Sequence, residues 1–153
     1  MLAVQSLLLV LLPSAVALAW LRGGRPERTA AAALLTAWCL GFALADWRLG
    51  RISVGTAAAD LGLLVVLGLL ALRHDRWWLL AASAAQALVV AAHLAVITRP
   101  GLTLDENAMV LCVFRCLVAV CLLAGAPERW LAGETHAAPG LVRRDASSPP
   151  VGA

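Results

Sequence analysis

SVGTAAADLGLLVVLGLLAL, residues 53–72, is followed after Arg73, His74, Asp75 and Arg76 by WWLLAASAAQALVVAAHLAVIT, residues 77–98. Each run is close to the roughly 20 residues that an α-helix needs to cross the hydrocarbon core of a bilayer. A joint of four residues makes the two helices antiparallel neighbours. This pair decides the fold class, because a soluble domain has no place for two consecutive apolar helices of that length.

Three further apolar runs flank the pair: residues 2–21, 29–47 and 106–126, the last interrupted by Arg115. The reading is an all-α, polytopic transmembrane helical bundle of about five spans over residues 1–126, with a tail from 127 to 153. Composition agrees. The 153 residues are 62% hydrophobic and 14% charged, with mean hydropathy +0.88, where soluble domains carry roughly a quarter charged residues. A net charge of +3 and an aromatic content of 5% argue against nucleic acid as a partner. The expected medium and first partner is the lipid bilayer.

The bias of arginine toward cytoplasmic joints sets the expected orientation. With five spans, Arg22, Arg25, Arg28, Arg73, Arg76, Arg129, Arg143 and Arg144 share one side, and Arg48, Arg51 and Arg99 the other. The N-terminus is therefore expected outside and the C-terminus in the cytoplasm. Ala15-Val16-Ala17 and Ala17-Leu18-Ala19 resemble signal-peptidase sites. A secretory signal, however, has its basic residues before the apolar stretch; here they follow it, so a retained helix is expected. The tail from Pro127 has no apolar periodicity and reads as disordered. Trp20, Trp47, Trp77, Trp78 and Trp130 fall at helix ends, where tryptophan anchors the interface.

Small residues at four-residue spacing mark candidate helix contacts: Ala33, Ala37, Gly41 and Ala45; Ser83, Ala87, Ala91 and Ala95; and Ala58 with Gly62.

Polar residues inside spans are costly and so carry information. Asp60 lies about 8 residues, or roughly 12 Å of helix rise, below the outer end of its span. Arg115 lies about 9 residues into the last span, at a similar depth. Opposite charges at matching depth suggest a pair. Two readings follow: an ion pair that fixes which helix faces which, or an ion- or proton-binding carboxylate tuned by Arg115. Gln86 and His93, seven residues apart, project from one helix face and extend the pair into a polar seam toward Asp46, Asp105 and Glu106.

Cys39, Cys112, Cys116 and Cys121 show no Cys-x-x-Cys spacing. Met109, Cys112 and Cys116 share a face and with His93 form a weak candidate set for copper(I), against the plainer reading of cysteine as a small hydrophobe. A bis-histidine haem within the membrane is excluded, because His74 is at the inner surface and His136 in the tail. No cofactor is expected. No phosphate loop, zincin motif or nucleophile elbow occurs, so no enzyme is expected.

Asp60, the joint Arg73-His74-Asp75-Arg76-Trp77-Trp78, Gln86 and His93 together resemble a family of uncharacterised small polytopic membrane proteins of bacterial genomes. Many of those relatives carry proline after the aromatic pair, where Leu79 stands here. The resemblance implies a bacterial inner membrane and no known activity. Residues 73–78 read as a solvated, headgroup-contacting turn or as a docking site for a partner. Function then divides between an accessory or assembly subunit of a membrane complex and a small oligomeric ion- or proton-coupled transporter or channel using Asp60 and Arg115.

Overall fold

The computed structural model describes residues 2–50, 52–99, 101 and 103–131. The remainder of the expected tail, with His136, Arg143 and Arg144, lies outside them, as does Arg51. Among the described residues the fold is five helices and one small hairpin. The helices are α1 (Leu2–Arg22), α2 (Arg25–Ala43), α3 (Val54–Arg73), α4 (Trp77–Thr98) and α5 (Leu104–Leu131). Three of them, over Val54–Arg73, Trp77–Thr98 and Asp105–Gly125, are long and apolar enough to cross a membrane. α1 (Leu2–Arg22) is also mostly apolar along its 21 residues, whereas α2 opens on Arg25, Pro26, Glu27 and Arg28.

The ends of the helices follow from their capping chemistry. α2 starts at Arg25 rather than Thr29 because Pro26 and Glu27 suit a first turn. The Glu27 carboxylate accepts from Gly24 N–H at 2.7 Å, satisfying one of the orphan donors of the turn. It ends at Ala43, before Trp47, and the chain turns into two antiparallel strands, β1 (Arg48–Leu49) and β2 (Ile52–Ser53). Gly50, at φ 62°, takes the left-handed turn position between them. With strands of only two residues each, this hairpin leaves the fold all-α; residues 44–53 alternate too briefly to register as strand in the sequence.

The hairpin and the start of α3 are both fastened to the C-terminal end of α2. Ser53 Oγ donates to Ala45 O at 3.2 Å, and Thr56 Oγ1 donates to Gly41 O at 3.3 Å. α5 begins at Leu104, two residues ahead of the expected start, because Thr103 and Glu106 cap it reciprocally. Glu106 N–H donates to Thr103 Oγ1 at 3.2 Å, and Thr103 N–H to the Glu106 carboxylate at 2.9 Å. The helix then continues through Pro127 to Leu131, so the first residues of the expected tail are helical.

α4 packs most extensively on α5 and next on α3, while α1 lies against α5 and α2 against α3. The core is built of Leu12 and Ala15 from α1, Ala31 from α2, Leu67 from α3, Leu79 and Ala82 from α4, and Ala119 from α5. Alanines at these contacts let the backbones approach closely. The buried stripe of α4 is Ala82, Ala85, Gln86, Val89, Ala92, His93 and Val96. Ala87 and Ala91 of the expected stripe are exposed instead, as are Ala58 and Gly62 on α3. Alanine is so abundant here that spacing alone does not distinguish the packed face from the outer one. The polar positions Gln86 and His93 do.

Candidate functional site

Asp60 sits on the second turn of α3 with 9% of its side chain exposed, and three side chains from two other helices converge on it. Arg115 Nη2 of α5 donates to Asp60 Oδ2 at 2.6 Å. His93 Nε2 of α4 lies 2.9 Å from the same oxygen. An ionised carboxylate only accepts, so Nε2 carries the imidazole proton. Gln86 Nε2, two turns earlier on α4, donates to Asp60 Oδ1 at 3.1 Å and to the Asp60 backbone carbonyl at 3.0 Å.

The geometry divides the labour. Each carboxylate oxygen has at least one donor, and with His93 neutral the four side chains carry no net charge. A buried charge is tolerable only when paired and hydrogen-bonded, and here both conditions are met by residues 26 to 55 positions away in sequence. The cluster ties α3, α4 and α5 together at one point. Arg115 is the most accessible member, with 27% of its side chain exposed.

Beside the cluster is a partly open cleft of about 210 Å³. Leu8 and Leu12 of α1, Trp38, Gly41 and Phe42 of α2, and Thr56 and Leu63 of α3 form its walls, and Asp60, Gln86 and Arg115 its polar end. Trp38 and Phe42, one helical turn apart, meet edge to face at 5.1 Å and 83°. The cleft itself was not legible beforehand. Its only sequence signal is Trp38 and Phe42 on the face of α2 that also carries Gly41.

The seam does not continue outward. Asp46, Asp105 and Glu106 are exposed and none lines the cleft. Nor does the soft donor set gather. His93 Nε2 is turned to Asp60, Met109 is 44% exposed, and Cys112 and Cys116 are buried along α5. Among the described residues no group of three or more His, Cys, Asp or Glu side chains is arranged to hold a metal ion.

At the other end of the bundle, Arg73, His74, Asp75 and Trp77 are exposed, while Arg76 Nη1 lies 3.9 Å from Glu128 Oε1 at the end of α5. Trp78 corrects the expectation of an interfacial anchor: it is fully buried. One position along a helix turns a side chain by about 100°, which carries Trp78 from the outer face of Trp77 onto α5. Gly125 supplies the slot, since a Cβ there would stand 2.9 Å from the indole. The Trp78 Nε1–H has no partner among the described residues. Trp78 thus touches neither headgroups nor a partner; what remains for contact is the exposed part of residues 73–77.

The chain matches no family model, no curated protein and no solved structure. The resemblance carried by Asp60, residues 73–78, Gln86 and His93 therefore brings no activity with it.

Proposed function

We propose that this chain is a non-catalytic multi-pass protein of the bacterial inner membrane, and that it serves as an accessory or assembly subunit of a larger membrane complex. In this reading all five helices span the bilayer, α1 and α2 held by the other three, with the N-terminus outside and the C-terminus cytoplasmic. At about 1.5 Å per residue, the 21 residues of α1 and the 19 of α2 reach close to 30 Å.

The observation that carries the proposal is the occupancy of Asp60. A carboxylate that binds and releases protons or ions in transport needs open coordination and access. Asp60 is instead engaged by Arg115, His93 and Gln86, which suits a clip between helices. The exposed turn formed by Arg73, His74 and Asp75 is the cytoplasmic contact offered to a partner. Affinity purification of the tagged chain from native membranes in mild detergent tests this. One foreign membrane subunit in fixed stoichiometry, lost when Arg73, His74 and Asp75 are replaced by serine, is the expected result. A homo-oligomer alone overturns it.

One feature favours the second reading, a small oligomeric ion- or proton-coupled transporter. Arg115 and Asp60 both border the cleft, so the carboxylate is not sealed from it. Proteoliposomes that show pH-driven flux abolished by Asp60→Asn would establish that reading in place of the first.

A further inference from the structure

The cleft has the size, polarity and opening of a ligand site that an interhelical clip alone does not require. Arg115 spends one nitrogen, Nη2, on Asp60; its Nε–H and Nη1–H donate to no described group. The Gln86 carbonyl oxygen likewise accepts from none, both amide contacts being made through Nε2. A donor and an acceptor thus stand unspent at the polar end of an otherwise apolar cleft.

Charge selects the head. Asp60 already cancels Arg115, so an anion would leave an uncompensated negative charge in an apolar site, and a cation would face Arg115. The fitting head is uncharged and bears oxygen. Volume selects its shape: a dry cavity of about 150 Å³ admits benzene, so about 210 Å³ holds a six-membered ring with small substituents. The nearly perpendicular aromatic pair Trp38–Phe42 offers such a ring one aromatic face and one edge. Phe42 is 67% exposed, placing the mouth of the cleft on the outer face of the bundle, where an apolar tail can leave into lipid.

We infer that this cleft binds a lipid-soluble quinone, its ring against Trp38 and Phe42, a carbonyl oxygen on Arg115, and its tail running out past Phe42. The inference is independent of the accessory role, since it concerns occupancy of the isolated chain and needs no partner.

The test uses the full chain in nanodiscs of dioleoylphosphatidylcholine, titrated with decylubiquinone and read by quenching of tryptophan fluorescence. Quinone that merely dissolves in lipid quenches without saturating. Binding adds a saturable component, and Trp38→Phe removes most of it. Gly41→Leu fills the cleft, and its new Cβ meets only the Thr56 methyl at 3.7 Å. It is expected to weaken saturable quenching at least tenfold without lowering the melting temperature. Ala37→Leu, on the same wall, repeats the test if Gly41→Leu fails to fold. Monoolein, a neutral oxygen-bearing lipid without a ring, should not displace the quinone. Unsaturable quenching identical in wild type and the filled variants overturns the site. Displacement by monoolein at equal concentration overturns the assignment of a ring and leaves a groove for bilayer lipid.

Discussion

Neutralising Asp60 and Arg115 separately and together distinguishes a true interhelical clip from two polar groups that happen to lie near one another. Asp60→Asn keeps the shape of the side chain and its place beside Gln86, but it removes the charge that receives Arg115 and His93. Two interhelical contacts at ~1–2 kcal/mol each, the range of model helices in lipid, give a loss of about 2–4 kcal/mol. Arg115→Gln removes one of these contacts, for a loss of about 1–2 kcal/mol. It costs less because His93 and Gln86 still donate to the carboxylate. Asp60→Asn already releases Arg115, so the double variant should lie near the Asp60→Asn value. The two changes then fall short of additivity by about 1–2 kcal/mol. Unfolding of the four proteins in one detergent, followed by circular dichroism, supplies the cycle. Adding His93→Leu to Arg115→Gln reverses the sign, because Asp60 is left with Gln86 alone, and the loss should exceed the sum of the parts. Strict additivity in both cycles would show that the carboxylate is not the shared centre, and the clip would have to be abandoned.

Orientation is tested by cysteine labelling after Cys39, Cys112, Cys116 and Cys121 are replaced: Gly101→Cys, exposed between α4 and α5, should react with an impermeant thiol reagent on intact cells. Asp75→Cys, exposed in the α3–α4 joint, should react only after lysis, and the opposite pattern would invert the bundle. Gly125→Ala should destabilise by about 1–3 kcal/mol through overpacking on Trp78, whereas Gly62→Ala, with open space where its Cβ would go, should change thermal stability little.

What the sequence discloses and what it withholds follow different physics. Spans are legible because apolar length is a property of a single segment: the runs at 53–72 and 77–98 coincide with α3 and α4 nearly to the residue. The meeting of Asp60 with Arg115 was inferable from depth, since a charge in lipid constrains its partner to the same level. Trp78 was misread because burial of a helix-end tryptophan depends on what stands opposite. That answer, Gly125, lies far along the chain in a segment where glycine carries no local signal. The α4 packing stripe was misread for a related reason, because alanine fills both of its faces. The cleft is a further step removed, being made of what α1, α2, α3 and α5 leave unfilled between them.

The separation of the cluster along the chain also sets an order of assembly. Gln86 and His93 stand 26 and 33 residues after Asp60, but Arg115 stands 55 after it. At about 5–20 residues per second of synthesis, the carboxylate waits roughly 3–11 s for its guanidinium. Through that interval the α3–α4 hairpin is in place with an acid held by an amide and an imidazole. In the five-span reading, α5 then enters the bilayer carrying an arginine that costs about 2.5–3.5 kcal/mol at mid-span. The clip therefore closes only once α5 has been made, and a chain interrupted before α5 leaves Asp60 with its amide and imidazole donors but without its guanidinium.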